Sequence, residues 1–276
     1  MSKLRFSEKY EKFNKIGEGF LSQVYKGQDK LTKEFVAIKE APVNEFNNFR
    51  KEKDVEKEIK FFKIFNYCPN SVKLYESFKD NNIIYLIMEL CDANLLQILK
   101  KTKNGFSVYE VKIIMKQLNN ILKEIRKKDM IHNDCKLENI LIKFKENSKE
   151  FEIKLADYGA AQIISTTKDL SKNEWGIEPY KGTTEESEAI LKLDLLRLGL
   201  DIYTMLFKKS YKSYNDMNKK IEKFIKDEDL KDLLKKLFVE DSKERIGWDE
   251  YFNHSFFNTD NLDFNKVENV VKSNDI

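Results

Sequence analysis

The chain has 276 residues, of which 41% are hydrophobic and 35% are charged, so it can bury a sizeable core and is not expected to be disordered. Its 50 basic and 47 acidic residues leave a net charge of +3, which gives no reason to expect nucleic acid or a membrane as a partner. The three cysteines have no motif spacing, and no run approaches the roughly 20 apolar residues of a membrane span. We therefore expect a cytoplasmic protein of a reducing compartment.

The first ninety residues are rich in short strand signals. The segments KFNKIGEG and LSQVYKGQ predict a hairpin, EFVAIKE predicts a third strand, and SVKLYESF and NIIYLIMEL predict two more. Between residues 46 and 66, apolar side chains recur at helical spacing. This part of the chain is therefore expected to form a sheet and one helix.

Helical patterns dominate after residue 92. Ser107 and Glu110 form a capping-box pattern before an amphipathic run, and NILIKF and FEIKLAD predict two short strands. The segment AILKLDLLRLGLDIYTMLF predicts a buried helix, whose charged residues argue against a membrane span. The pattern as a whole predicts an α+β fold.

The segment IGEGFLSQV places Gly17 and Gly19 between two predicted strands, with Ser22 where a third glycine would complete G-x-G-x-x-G. Small residues at these positions let backbone amides approach phosphate oxygens. Because a strand follows the turn where a dinucleotide-binding fold needs a helix, the sequence argues against that fold. The alternative is an ordinary hairpin turn that uses glycine for positive φ.

The segment VAIK ends in Lys39, a lysine inside an otherwise apolar strand. A buried lysine is costly unless a carboxylate pairs with it, and Glu58 on the predicted helix is the candidate partner. The alternative is a lysine on an edge strand that reaches solvent.

The segment IHNDCKLENILI groups His132, Asp134, Lys136 and Asn139 as H-x-D-x-K-x-x-N. An aspartate can accept a hydroxyl proton, a lysine can neutralise a transferred phosphoryl group, and an asparagine oxygen can ligate Mg²⁺. Further on, IKLADYGAA places Asp157 at the end of a strand with a glycine two residues later, which suits either a metal ligand or a strand-end turn.

In this order and spacing, the segments resemble the eukaryotic protein kinase family over about residues 10–257. HNDCKLEN resembles HRDLKPEN, DYG resembles DFG, and VEKEIKFF is similar to the family's helix C. YLIMELC looks like the hinge, LDLLRLG stands where the family has DxWSxG, and LFVEDSKERIGWDEYFNHSFF is similar to the closing pattern.

The resemblance implies a two-lobed α+β fold with ATP and Mg²⁺ as cofactors. A small β-rich N-lobe would span residues 1–89, a larger helical C-lobe residues 90–257, and a polar tail residues 258–276. The implied ATP-binding residues are Ile16, Gly17, Gly19 and Ser22 in the glycine loop, Val24, Ala37 and Leu141 around adenine, Lys39, and Met88, Glu89 and Cys91 at the hinge.

The resemblance also implies the catalytic roles. Lys39 would bind ATP and pair with Glu58, Asp134 would deprotonate the acceptor, and Lys136 would stabilise the γ-phosphoryl group. Asn139 and Asp157 would hold Mg²⁺. The implied supporting residues are Asp194 as an anchor of the catalytic loop, and His132, Leu74, Phe62 and Tyr158 as a hydrophobic spine.

The chain departs from the family in two places. Asn133 replaces the arginine of HRD, which usually pairs with a phosphate on the activation loop, where this chain has Ser165, Thr166, Thr167 and Ser171. WGIEPYKGTTEESEAIL stands where the family has GTxxYxAPE, so Thr184 occupies the position of the usual glutamate. Glu185 or Glu186 is then the candidate partner of Arg245.

We expect a protein kinase that phosphorylates Ser or Thr hydroxyls, because Lys136 two residues after the base resembles Ser/Thr kinases. The first alternative is a pseudokinase that acts as a nucleotide-binding scaffold, which Asn133 and the altered GTTEE region favour. The second is a small-molecule kinase, since those enzymes also use H-x-D-x-x-x-x-N.

Overall fold

The computed structural model describes residues 5–19, 21–44, 51–164, 175–209, 213–258 and 263–271. The chain forms two compact units: the first comprises residues 1–91 and 157–159, and the second comprises residues 92–156 and 160–276. The division at residue 91 lies next to the predicted boundary between residues 89 and 90. The sequence does not predict that residues 157–159 belong to the first unit.

The first unit is a sheet with two helices. Its elements are α1 (Phe6–Lys9), β1 (Tyr10–Gly19), β2 (Ser22–Asp29), β3 (Phe35–Pro42), α2 (Glu52–Phe65), β4 (Leu74–Asp80) and β5 (Ile83–Glu89). The strands pair in the order β1-β2-β3-β5-β4, and every pair is antiparallel. All five predicted strands and the predicted helix are present in the residues that the structure describes.

One face of this sheet is covered by the N-terminal segment. Val36, Ile38 and Ile87 project from that face and pack with Phe6 and Tyr10. The Phe6 ring stacks on that of Tyr85 with 4.0 Å between centroids. Since side chains alternate along a strand, the residues between these apolar ones project from the other face, which carries the candidate site.

One face of helix α2 is buried within the first unit. Val55, Glu58, Phe61, Phe62 and Phe65 are buried, with the three- and four-residue spacing of one helix face. Glu58 is therefore a carboxylate inside an apolar stripe, which requires a partner of opposite charge.

The second unit is mainly helical. Its helices are α3 (Leu95–Lys101), α4 (Val108–Arg126), α5 (Thr184–Phe207), α6 (Tyr214–Phe224), α7 (Glu228–Leu237) and α8 (Trp248–Phe252). Its short strands are β6 (Ala93–Asn94), β7 (Met130–Ile131), β8 (Ile140–Phe144), β9 (Phe151–Leu155) and β10 (Gln162–Ile163), which form the sheets β6-β8-β9 and β10-β7. The predicted α+β fold, with a β-rich first part and a helical second part, is confirmed.

Two helix starts show why the chain turns helical where it does. At α4, the predicted capping box is present: Glu110 N–H donates to Ser107 Oγ over 3.2 Å, and Ser107 N–H donates to the Glu110 carboxylate over 2.7 Å. The same box, formed by Thr183 and Glu186, starts α5 at Thr184, several residues before the predicted apolar run. Although α5 is apolar over much of its length, none of the described helices has the length and apolarity to cross a bilayer.

Part of the predicted polar tail is packed onto the second unit. Val267 and Val270 are each 1% exposed, and the Phe264 ring meets Phe151 edge-on at 5.3 Å. The carboxylate of Glu110 accepts N–H groups from Glu268, Asn269 and Val270. Residues 263–271 of the predicted polar tail therefore pack against the second unit, because a capping carboxylate of α4 has spare acceptor capacity for backbone donors.

Candidate active site

The buried lysine of β3 has two carboxylate partners within the first unit. Lys39 Nζ lies 2.6 Å from Glu58 Oε1 and 2.9 Å from Asp157 Oδ1. The side chains of Lys39 and Glu58 are 6% and 0% exposed, so this is not an edge lysine reaching solvent. Both charges are desolvated, so each requires a partner of opposite charge.

The side chains that surround Lys39 on its face of the sheet are apolar. Val24 pairs directly with Lys39 across β2 and β3, and Ala37 pairs with Met88 across β3 and β5. Directly opposed residues share a face, so these four side chains line one surface. Ala37 and Met88 are buried, and Val24 is half-buried, which suits contact with a flat apolar ring such as adenine.

The predicted glycine loop joins β1 and β2. Gly17 pairs with Val24 and Gly19 with Ser22. A Cβ at Gly19 would lie 2.8 Å from Ser22 Oγ, so a larger residue there would require the serine side chain to move. Neither glycine has positive φ, so the alternative reading, a turn that uses glycine for positive φ, is wrong. Ile16, beside Gly17, is 38% exposed.

The predicted hinge ends β5. Glu89 is buried, and its N–H donates to Lys73 O over 2.9 Å. Cys91 is half-buried, and Leu141, the remaining adenine candidate, is half-buried in β8 of the second unit. The adenine contacts of these residues stay predictions.

The DYG segment is fixed by its tyrosine. Tyr158 is 1% exposed, its ring meets Phe62 edge-on at 5.0 Å, and it stacks on Phe65 at 5.6 Å. A buried tyrosine hydroxyl needs a partner, and Ser71 Oγ supplies one at 2.8 Å. Asp157 itself has φ 61°, in the left-handed region that aspartate tolerates. The predicted contact between Phe62 and Tyr158 is thus present.

The loop of residues 132–139 in the second unit gathers the predicted catalytic side chains. The Asp134 carboxylate accepts a hydrogen bond from Lys136 Nζ at 2.8 Å and another from Asn139 Nδ2 at 2.9 Å. Asn139 Nδ2 also donates to Asp134 O, so the amide holds both the backbone and the side chain of the aspartate. Asp134 and Lys136 remain 35% and 46% exposed, which leaves them accessible to a substrate.

The loop is tied to the strand that precedes DYG and to α5. His132 is fully buried, and its Nε2 lies 3.0 Å from Ala156 O. Asn133 N–H donates to Asp194 Oδ2 over 3.1 Å, as expected for the predicted anchor. Asn133 has φ 59°, a conformation in which asparagine is favoured over most residues.

Two further residues of α5 touch the loop, and sequence reasoning missed their role. Arg197 Nη1 donates to Asn133 O at 2.6 Å and to Asn133 Oδ1 at 2.9 Å. Asp201 interacts with the main-chain N–H of Leu137. The available signal was their spacing from Asp194, since residues 194, 197 and 201 lie on one helix face.

The predicted partner of Arg245 is wrong. Arg245 is 5% exposed and donates to two main-chain carbonyls, Lys192 O at 3.0 Å and Val239 O at 2.9 Å. Glu186 instead caps the first turn of α5. Because the helix starts at Thr184, Glu185 and Glu186 lie in its first turn, where their negative charges interact favourably with the helix dipole. The loop hydroxyls of Ser165, Thr166, Thr167 and Ser171 lie outside the described residues.

The donor chemistry of the two predicted metal ligands fits Mg²⁺. Asn139 uses its nitrogen for the hydrogen bonds to Asp134, so its amide oxygen is the atom left to ligate a cation. Asp157 is 37% exposed and supplies carboxylate oxygens. Oxygen donors of this kind, completed by water and phosphate, are what Mg²⁺ prefers. Within the described residues, no cluster of three or more His, Cys, Asp or Glu forms a ready-made metal cage.

Comparison with known families matches residues 10–257 to the protein kinase domain. The chain is 31% identical over 275 residues to Calcium-dependent protein kinase 5 of Plasmodium falciparum, and 30% identical over 267 residues to Serine/threonine-protein kinase atg1 of Dictyostelium discoideum. These alignments cover 92% and 90% of this chain but 47% and 39% of the relatives, so the chain spans less than half of their length. The chain belongs to the protein kinase family.

Proposed function

We propose that this chain transfers the γ-phosphoryl group of Mg²⁺-ATP to Ser or Thr hydroxyls of proteins. The observation that carries the proposal is the buried pair of Lys39 and Glu58, with Asp157 as a second partner of the lysine. Burying these charges opposes folding unless they are matched, so a chain gains little by keeping them without a use for them.

Asp134 is the proposed base. Its carboxylate accepts the proton of the acceptor hydroxyl while the hydroxyl oxygen bonds to the γ-phosphorus and the bond to the β,γ-bridging oxygen breaks, so that ADP leaves. Asn139 and Lys136 fix the direction of that carboxylate before the acceptor arrives. The proposed rate gain comes from positioning and electrostatics, without a covalent intermediate.

The remaining charged residues act on the phosphates. Lys39, held straight by Glu58, binds the ATP phosphates, and Lys136 neutralises charge on the group in transfer. Asn139 and Asp157 would hold Mg²⁺, which neutralises the phosphate oxygens when bound.

Two observations support Ser or Thr as the acceptor residue. Serine/threonine-protein kinase atg1 is a Ser/Thr kinase by name, and Lys136 stands two residues after the base, as in Ser/Thr kinases. A cytoplasmic location is part of the proposal, and the three free cysteines support it.

A pseudokinase is the second candidate. Asn133 in place of arginine and Arg245 bonded to carbonyls in place of a carboxylate both favour it, because each departs from the kinase pattern that the sequence otherwise resembles.

Phosphoryl transfer from Mg²⁺-ATP separates the two candidates. We expect the purified chain to phosphorylate generic protein substrates or itself on Ser or Thr, and Asp134→Asn to lower the rate by about 10²–10⁴-fold, the usual contribution of a general base. Glu240→Gln, which removes an exposed carboxylate of the second unit, is the matched control. Binding of ATP without transfer, with activating partners supplied, would favour the pseudokinase.

A further inference from the structure

The helix α5 contacts the catalytic loop, residues 132–139, through three polar residues on one face. Asp194 and Arg197, three positions apart, hydrogen-bond Asn133, and Asp201, four positions further on, interacts with the main-chain N–H of Leu137. Their contacts fall on Asn133 and Leu137, which bracket the proposed base Asp134 and Lys136. Of the three, only Asp194 matches an acid of the DxWSxG pattern; Arg197 stands at its serine position, and Asp201 lies beyond it.

Arg197 supplies a guanidinium to a loop that lacks its own. Where HRD has arginine this chain has Asn133, and Arg197 Nη1 bonds both the main-chain and side-chain oxygens of that residue, at 2.6 and 2.9 Å. The same nitrogen lies 3.3 Å from Asp194 Oδ1, while Asp194 Oδ2 accepts the Asn133 N–H. Asn133 is thus held through its N–H, its carbonyl and its side chain, which fixes its left-handed backbone.

Asp201 holds the other end of the same segment. It is 9% exposed, and its Oδ2 is buried without a hydrogen-bond partner among the described residues. Burial, followed by the negative charges of Glu138 and Asp134, raises the pKa of this carboxyl well above its ordinary value. The main-chain N–H of Leu137 and the charge of Lys136 act in the opposite direction, so the carboxyl interacts with the loop at Leu137.

The thiol of Cys135, which lies between Asn133 and Leu137 in the chain, is buried in the same environment. Cys135 is 2% exposed, and burial, then the charges of Asp201 and Asp194, raise its pKa well above the usual range. The segment from Asn133 to Leu137 therefore runs over the buried acids of α5, so a displaced anchor would move the Asp134 carboxylate.

We propose that Arg197 and Asp201 are positioning residues, which clamp residues 133 and 137 onto α5 and thereby aim the carboxylate of Asp134. The proposal rests on the proposed kinase function for its catalytic consequence, but the clamp itself is measurable without activity. Neither residue touches the reacting atoms.

The first test is hydrogen exchange of the full chain, followed on the peptide that covers residues 131–142. We expect Arg197→Met and Asp201→Leu to speed exchange in that peptide, with the amide of Leu137 most affected in Asp201→Leu. Lys192→Met and Thr204→Val are matched controls on α5, since Lys192 bonds Lys243 O and Thr204 bonds Leu200 O of its own helix. Exchange no faster than in these controls would overturn the clamp.

The second test is kinetic. We expect Arg197→Met to lower kcat by about 100-fold with KM for ATP unchanged, since a misplaced base affects the chemical step and not nucleotide binding. Arg197→Lys, which keeps the cation, should recover part of the loss; if Arg197→Met fails to fold, exchange and kcat in Arg197→Lys and Asp201→Leu decide the matter. Absence of transfer in the wild type would refute the kinase proposal alone and leave the exchange test in force.

Discussion

Two lysine–glutamate pairs tie α2 to the sheet of the first unit, and they differ in burial rather than in length. Lys39 of β3 reaches Glu58, and Lys79 of β4 reaches Glu52, each over 2.6 Å. The first pair is 6% and 0% exposed, and the second is 54% and 31% exposed. Since water screens the second pair and is excluded from the first, equal distances imply very different energies.

In such a protein, a buried ion pair is a stronger indication of function than an exposed one. An exposed pair is solvated whether or not it forms, so its loss is nearly neutral. Removing one partner of a buried pair strongly destabilises the fold, because the other partner remains charged and without water.

Removing Lys39 should have the largest effect. Lys39→Met leaves the Glu58 carboxylate without its lysine, and we expect a loss of about 3–5 kcal/mol in the free energy of unfolding, measured in urea. We also expect phosphoryl transfer to fall by at least about 100-fold, since a cation aimed at the phosphates is lost. The double variant Lys39→Met/Glu58→Leu should regain most of the stability but none of the transfer.

That double variant isolates charge from packing. Similar unfolding energies for Lys39→Met and Lys79→Met would show that burial does not distinguish the two pairs, and the comparison would fail.

Glu110 is a buried glutamate of a different kind from Glu58. It is fully buried, but it is held by N–H groups and not by a lysine. Burial acts to raise its pKa, but hydrogen bonds from Asn269 and Ser107 outweigh burial and hold it below the ordinary value. Its contribution to stability is therefore complete above the ordinary pKa of a glutamate and is lost as pH falls through the lowered one.

Glu110→Gln should lower the free energy of unfolding by on the order of 2 kcal/mol at neutral pH, because an amide accepts these hydrogen bonds less strongly than a carboxylate. The difference from the wild type should shrink as the solution is acidified, in urea unfolding measured across the acidic range. Glu146→Gln, an exposed site, is the control; a difference that grows on acidification would contradict the assignment.

The exposed pair should give the smallest effect. A double-mutant cycle with Lys79→Met and Glu52→Gln is expected to yield a coupling of about 0.2–1 kcal/mol. That coupling should weaken at about 1 M salt, where the screening length is near 3 Å, while the Lys39 effect persists. A salt-insensitive coupling above this range would show that the pair is less solvated than its exposure indicates.

Much of the fold and the candidate site was predictable because it depends on local pattern. The strands, α2 and the pairing of Lys39 with Glu58 follow from periodicity and from the cost of a lone buried charge. The order of motifs then placed Asp134 and Asn139 in one loop, where the structure shows them bonded.

What the sequence missed depends on backbone partners, which carry no residue signature. Glu110 binds main-chain N–H groups at residues 268–270, Asp201 interacts with the N–H of Leu137, and Arg245 binds main-chain carbonyls. Of the polar residues on α5, Asp194 was predicted to anchor the catalytic loop, but Arg197 and Asp201 were interpreted only as evidence against a membrane helix. The start of α5 was missed because Thr183 and Glu186 mark it with a capping box and not with apolar residues.

The family match ends at residue 257, yet the carboxylate that starts α4 finds its donors at residues 268–270. A recombinant chain that ends at Phe257 would keep the family motifs but would leave the Glu110 carboxylate without its N–H donors from residues 268–270. Phe151 would also lose its ring contact with Phe264. The packed structure of this chain therefore extends beyond the residues that the family model matches.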